Sequence, residues 1–366
     1  MALTQVQSGI LADSTQTYGM KNRIINGAMV IDQRNAGASV ANPANTYTLD
    51  RWTSIASLNS KFSIQQNAGS VTPPIGFTNY LGVTSSSAYS VTSGQAFVLQ
   101  QAIEGFNTAD LRWGTANAKT VTLSFQVYSS LTGTFGGVIT NSAQNRSYPF
   151  TYTVGSANTW TTASVTIAGD TSGTWIGATN GIGMSVFFGL GVGSSLSGTA
   201  GAWAGATYYS ATGAVSVVGT NGATFYITGV QLEVGSTATA FDYRPFGTEL
   251  ALCQRYCYVM RSASTLSQVG FSSSQSTSSA FLGIYLPVTP RTNPTGITAS
   301  SATCLNSYAA NSNVTTTGIA IPSGWTFAGN FVTIQLTTAG SLVAGQVSPT
   351  YFNSATATIE FTGMEL

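Results

Sequence analysis

The chain has 366 residues, of which 12 are Lys or Arg, 11 are Asp or Glu and none is His. A charged fraction of 6% lies far below the roughly 25% of an ordinary globular chain. The net charge of +1 gives no long-range pull toward nucleic acid or an anionic membrane surface, and 43% hydrophobic with 11% aromatic residues excludes a disordered chain.

Neutral hydroxyls, amides and glycines must therefore keep the surface wet, and such a surface is poorly protected from association by charge repulsion. An obligate oligomer that meets its own copies in a defined way answers that problem. The opening MALTQVQSGILADSTQTYGM has no basic start followed by an apolar block, so no secretory signal is expected. Residues 171–232 carry no charge, but their apolar runs are too short and too broken by Gly, Ser and Asn for a membrane span. Cys253, Cys257 and Cys304 are an odd number and lack the partners of a zinc site, so they read as buried reduced thiols.

In chain order, the first predicted elements are a short helix at Asn107–Trp113, with Asn107 as cap, and a strand at Lys119–Ser130. That strand alternates Val121, Leu123, Phe125 and Val127 with polar residues. Ala163, Val165 and Ile167 mark another. In Gly181–Gly193 the set Ile182, Met184, Val186, Phe188, Leu190 and Val192 alternates with Gly183, Ser185, Phe187, Gly189 and Gly191. The period predicts a strand with one buried face, and the small residues opposite would admit a second chain, a loop or a ligand.

Residues 223–232, ATFYITGVQL, are echoed by residues 357–366, ATIEFTGMEL, with five of ten positions identical. Each reads as a closing strand interrupted by a glycine, Gly229 or Gly363, at a β-bulge. Two tandem β-sandwiches follow, over 24–245 and 258–366, joined by a helical connector at 246–257 with Thr248 as N-cap. Later strands are predicted around Leu282, Ile284, Leu286 and Val288, and around Val332, Ile334 and Leu336. SSSQSTSSA (272–280) reads as a surface turn or an oligomer contact. From Ser262 onward only Arg291, Glu360 and Glu365 are charged.

Without histidine, Ser–His–Asp and Cys–His nucleophiles and histidine metal sites are impossible, and no phosphate-binding glycine loop is present. Paired carboxylates for glycoside cleavage remain conceivable. Glu104 and Asp110 are the closest such pair, but acids in so charge-poor a chain read as halves of buried ion pairs, and no catalytic residue is assigned. Asp50, Asp242 and Arg244 are expected to form one such network, with Arg244→Ala costing about 3–5 kcal/mol. Aromatic planes beside neutral amides suit sugar rings, whose C–H faces pack on them. Trp203, Tyr208 and Tyr209, in a Gly/Ala loop with little else to bury them, are the better candidates for a glycan-binding patch. Trp160 and Trp175, which flank a predicted strand, are the others.

The runs KNRIINGAMVIDQRNAG (21–37) and GVQLEVGSTATAFDYRPFGTELALCQRY (229–256), with DRW (50–52), resemble bacteriophage tail-fibre and related virion fibre proteins. The first twenty residues also look like the start of such fibres. Over 26–234 the order NGAM, LQQAIEG, TVTLSFQVY, FYITGVQLEVG is similar to jelly-roll carbohydrate-binding modules. This implies an all-β chain of two tandem jelly-roll-like sandwiches (24–245 and 258–366), preceded by a virion-attachment segment at residues 1–23. It further implies a homotrimer made in the host cytoplasm and carried on the virion. Such a trimer attaches to a tail or collar adaptor and adheres to host surface polysaccharide, with no nucleic-acid partner and no membrane insertion. Some such modules hold calcium, and Asp32 and Glu233 occupy neighbouring positions. Ala28 or Met29 stands where the usual acid would be, so no metal or cofactor is expected. A head or collar fibre without receptor binding, and a glycan-degrading tailspike, are the alternative functions.

Overall fold

A computed structural model of the chain describes residues 20–309, 312–324 and 328–366. Most of the expected attachment segment (1–23) thus lies outside the described residues, as does Trp325. The chain divides into two compact units, Met1–Pro245 with Leu366 and Phe246–Glu365.

The first unit contains β1 (Thr53–Ala56), β2 (Phe62–Gln66), β3 (Leu81–Ser85), β4 (Ala96–Glu104), β5 (Val121–Ser129) and β6 (Gly133–Asn141). β7 (Ser147–Val154), β8 (Thr161–Ile167), β9 (Ile182–Val192), the short β10 (Ser197–Gly198) and β11 (Ser210–Ala211), and β12 (Thr224–Val234) complete it. Two five-stranded antiparallel sheets result, ordered β1-β4-β9-β6-β7 and β2-β3-β12-β5-β8. Between them lies an apolar core that includes Trp52, Phe62, Phe97, Phe125, Phe188 and Phe225. Alternation places Val121, Leu123, Phe125 and Val127 of β5 on that inner side.

One expectation fails on β9. The strand is buried on both faces, not one. Its inner face meets the core through Met184, Val186, Phe188 and Leu190. The chain's own 193–218 segment folds over the other face: a Cβ at Gly189 would lie 2.6 Å from Ser210 Oγ, and one at Gly191 would lie 2.6 Å from a Val218 methyl. The small-residue surface is thus a seat for a loop of the same chain.

The run 22–27 adds a main-chain layer made from amides. The Asn22 side-chain oxygen Oδ1 accepts from the Ile24 and Leu232 N–H groups, and its Nδ2 donates to the Val230 carbonyl. Gln101 clasps Ile25 in both directions, at 2.8 and 2.9 Å. Asn26 donates to the Ile31 and Asp50 carbonyls. Gly27 is required here, since a Cβ would fall 2.2 Å from the Val230 carbonyl oxygen.

The second unit opens with α1 (Phe246–Gln254), which begins before the expected cap at Thr248. Pro245 precedes it directly, and a proline sacrifices no N–H at a helix start. The helix predicted at 107–113 is instead two 3₁₀ turns, Gly105–Asn107 and Ala109–Leu111. Thr108 separates them, and Asn107 gives its carbonyl to Arg23.

The remaining strands are β13 (Tyr258–Arg261), β14 (Gln268–Ser274), β15 (Ser279–Tyr285), β16 (Gly296–Ala299) and β17 (Leu305–Ala309). They continue with β18 (Ser312–Ala320), β19 (Phe331–Thr338), β20 (Val347–Phe352) and β21 (Thr358–Thr362). A second sandwich was expected, but six of these strands close into a barrel, ordered β14-β15-β19-β18-β17-β20, while β13-β21-β16 form a separate sheet. Closure occurs because β20 pairs with both β14 and β17. A barrel leaves no open edge, which suits strands with no charges to guard one. Leu282, Ile284, Val332, Ile334 and Leu336 fill the interior beside a buried hydroxyl trio, Ser272, Ser307 and Thr350, with contacts of 2.9–3.3 Å. Of SSSQSTSSA, residues 275–278 form the β14–β15 turn, while Ser272–Ser274 end β14 and Ser279 and Ala280 begin β15, with Ser274 paired to Ala280. Cys253, Cys257 and Cys304 are buried thiols, and burial raises the Cys304 pKa. No helix among the described residues is long and apolar enough to cross a membrane.

Candidate functional site

The expected aromatic residues fall into three places. Trp175 and Trp203 join Trp113 in a mutually edge-on cluster, with centroids 4.7, 5.3 and 5.4 Å apart. Tyr148 packs on Trp203 at 5.2 Å. All three indole N–H groups are spent within the protein: Trp113 on the Lys119 carbonyl, Trp203 on that of Ala168, and Trp175 on Asp170 and Ser172. Arg146 grips the buried Asp170 in a two-pronged pair at 2.6 and 2.7 Å. Burial would push the Asp170 carboxyl up, but the Arg146 fork, with help from the Ser172 N–H and the Trp175 indole, outweighs it and lowers the pKa. The crevice beside Trp113 and Trp175 holds only about 60 Å³, too little for a sugar ring.

Tyr208 and Tyr209 are half-buried on Phe187, so the loop does have something to bury them against. Tyr209 meets Phe187 edge-on at 5.3 Å and donates its hydroxyl to Gln144 at 2.7 Å, and burial raises its phenol pKa. Tyr208 lies over Gly198, where a Cβ would come within 2.4 Å of the ring. The loop's composition conceals this packing, because the surface receiving it is the glycine side of β9, far away in sequence.

Trp160 belongs to the third place, the outer face of the β2-β3-β12-β5-β8 sheet. Register puts Tyr226 of β12 opposite Tyr128 of β5, and the two rings stack at 5.2 Å and 5°. Tyr80 stacks on Tyr226 at 5.0 Å, and Trp160 leans on Tyr80 and Tyr128, each at 5.5 Å. The Trp160 indole donates to the Thr72 carbonyl at 2.9 Å. Two residues along β5 and β8, Gln126 and Thr162 exchange hydrogen bonds at 2.9 and 3.1 Å.

Next to that pair the same face opens into a pocket of about 330 Å³, bordered by Phe77, Phe241 and Tyr243 with Ser124, Gln126 and Thr162. The bulge creates the room: pairing of β12 with β5 jumps between Thr228 and Gln231. Gly229 sits there at φ 61°, and the Phe77 ring occupies the space a Cβ would need, 2.5 Å away. Phe77, Phe241 and Tyr243 pack on one another at 4.9–5.6 Å. Buried polar groups of β12 hold this wall. Glu233 accepts from the Thr239 N–H (2.8 Å) and hydroxyl (2.6 Å), and Gln231 accepts from the Asp242 N–H at 2.8 Å.

The expected ion-pair residues act as loop ties. Asp242 and Arg244 meet at 3.7 Å, and Arg244 donates to the Ile24 and Asn22 carbonyls. The buried Asp50 carboxylate receives the Gln33 N–H and amide. Asp110 is forked by Arg23, both contacts at 2.7 Å, while Glu104 is buried in β4. Asp32 caps its own turn by accepting from the Asn35 and Gly37 N–H groups. No group of three or more potential metal-ligating His, Cys, Asp or Glu residues occurs among the described residues.

The sequence reading missed Phe77, Tyr80, Tyr128, Tyr226, Phe241 and Tyr243. A signal existed for two of them: Tyr128 and Tyr226 fall on the polar phase of strands whose apolar residues point inward. A large ring there faces out, onto its cross-strand neighbour.

No protein-family model matches the chain, and no curated protein matches it. Among solved structures, the enzymatically active domain of tailspike protein 4 from bacteriophage CBA120 aligns at TM-score 0.31 and 13% identity, over 58% of this chain and 21% of that one. The chain thus spans about a fifth of the tailspike it matches. A putative sugar-binding protein from Bacteroides thetaiotaomicron aligns at TM-score 0.34 and 15% identity, over 59% of this chain and 100% of that one. The module TmCBM61, solved in complex with β-1,4-galactotriose, aligns at TM-score 0.30 and 9% identity, over 59% of this chain and 100% of that one. These are distant likenesses to β-structures, several of them carbohydrate-binding modules, and they assign neither a family nor a ligand to this chain.

Proposed function

We propose that this chain is a subunit of a bacteriophage tail fibre that adheres to host cell-surface glycans. The observation that carries the glycan reading is the outer face of the β2-β3-β12-β5-β8 sheet, where aromatic planes, neutral amides and hydroxyls border a pocket of about 330 Å³. That is the chemistry a sugar ring asks for: a flat apolar surface and uncharged hydrogen-bond partners. The virion reading is supported by the runs 21–37 and 229–256, whose resemblance is to fibre proteins.

In this reading the chain is a homotrimer on the virion, attached to a tail adaptor through residues 1–23. Supporting self-association, the barrel exposes Phe271, Tyr285 and Val347, at 62%, 73% and 62%, on strands that carry no charged residue. Binding is non-catalytic. In support, Asp110 is committed to Arg23 and Asp170 to Arg146, which holds two of the few acids as structural anions. Strength at the cell surface comes from repeated weak contacts.

The test is to add the purified full chain to susceptible host cells with the phage. Blocked adsorption, retention on host polysaccharide and no release of reducing ends are expected. A chain that binds the virion yet neither host cells nor their polysaccharide sinks the adhesion reading, and sedimentation as a monomer sinks the trimer.

A further inference from the structure

We infer that the pocket beside the Gly229 bulge takes one ring of an uncharged glycan, a neutral hexopyranose, and rejects uronic and sialic residues; this rests on the glycan-binding reading above. The pocket holds about 330 Å³ and no charged side chain lines it. Phe77, Phe241 and Tyr243 offer ring surfaces, and Tyr243 is 58% exposed, available to a ligand. Gln126 and Thr162 bond each other, but an amide and a hydroxyl have donors and lone pairs to spare after one exchange.

The nearby charges are turned to other partners. Glu233 accepts twice from Thr239, Asp242 faces Arg244 at 3.7 Å, and Lys21 donates to the Ala240 carbonyl at 2.7 Å. A carboxylate entering this pocket would shed water and find no lining cation. A neutral ring would lose only hydroxyl hydration, which Gln126, Thr162 and Ser124 can replace, while its C–H face gains aromatic contact. The wall at 238–243 is already held by Gln231 and Glu233, so little ordering is left for the ligand to impose.

The experiment measures binding of the full chain to neutral trisaccharides of glucose, galactose and mannose, and to trisaccharides of glucuronate and galacturonate. At least one neutral member should bind, with every acidic member about tenfold weaker or worse. Tyr243→Ala should weaken the neutral ligand by about tenfold or more. Thr162→Trp, a substitution at an exposed edge-strand position that fills the pocket, should do the same without disturbing the core. Affinity should be flat from about pH 5 to about pH 9, because no group titrating in that window lines the site. Acidic members binding as well as neutral ones, and losing that binding in both variants, overturns the inference while leaving glycan binding intact. Neutral binding that survives both variants places the site elsewhere and also overturns it. Failure of all these sugars together with host polysaccharide removes the glycan reading itself.

Discussion

The two units solve the same shortage of charge in opposite ways. The sandwich spends its few ions on tying loops down: Arg23 holds Asp110, Arg146 holds Asp170, and Glu233 holds Thr239. The barrel's strands carry no ion at all. Its interior holds a trio of hydroxyls bonding one another, Ser272, Ser307 and Thr350, and its edges are paired by closure. The difference teaches where binding walls can be built. A long loop needs a strong local anchor to stand still, and a buried charge-assisted bond is a stronger anchor than a hydroxyl pair.

The largest expected effect comes from removing such an anchor. Arg146→Ala leaves Asp170 buried without its cation and should cost about 3–5 kcal/mol in chemical denaturation; a loss under about 1 kcal/mol would show that the pair anchors nothing. Arg244→Ala should cost less, about 2 kcal/mol, because Asp242 is 30% exposed and can recover water. That is below the cost of about 3–5 kcal/mol for a fully buried network.

Glycines sharpen the comparison next. Gly229 and the barrel's Gly345 both have positive φ, 61° and 80°, but a Cβ at Gly229 meets Phe77 while one at Gly345 meets nothing. Gly229→Ala should cost about 2 kcal/mol and weaken glycan binding, whereas Gly345→Ala should cost about 1 kcal/mol and leave binding alone. Equal costs would mean that Phe77 yields freely.

The smallest effect is in pH. The Asp170 carboxyl lies below its ordinary 3.8 in the folded chain, so its contribution is present above that value and is lost as pH falls through the lowered folded pKa. Hydrogen exchange, corrected for intrinsic rates, should show protection of β7 and β9 falling as the pH is taken below 3.8. The barrel strands, lacking carboxylates, should keep theirs. Parallel losses in both units would break the contrast.

The two echoed strands show how far local pattern reaches. Both glycines take positive φ, 61° at Gly229 and 86° at Gly363, as the shared pattern suggests. Gly229 interrupts pairing inside β12, while Gly363 follows the end of β21 and packs against Thr295. The identical dipeptide Thr-Gly therefore makes a bulge in one place and a strand exit in the other. What differs is the neighbour: β5 continues beside Gly229, and no partner register extends past Thr362. The tryptophan and tyrosine candidates behave similarly. Their presence near loops was legible, but Trp203 rests on Trp113, Tyr209 on Phe187, and Trp160 on Tyr80, contacts that no spacing along the chain encodes.

By itself the sequence determined that this protein is built from strands, that β5 and β9 turn their alternating apolar residues to a core, and that no histidine chemistry is available. Those properties follow from period-two alternation and composition, which act over a few residues. Only the tertiary structure decided that the second unit closes into a barrel, that a loop covers the glycine side of β9, and that Phe77 and Tyr243 meet Thr162 around one pocket. Each of these depends on which distant segments pair, and that choice rests on long-range packing and register that no local window contains.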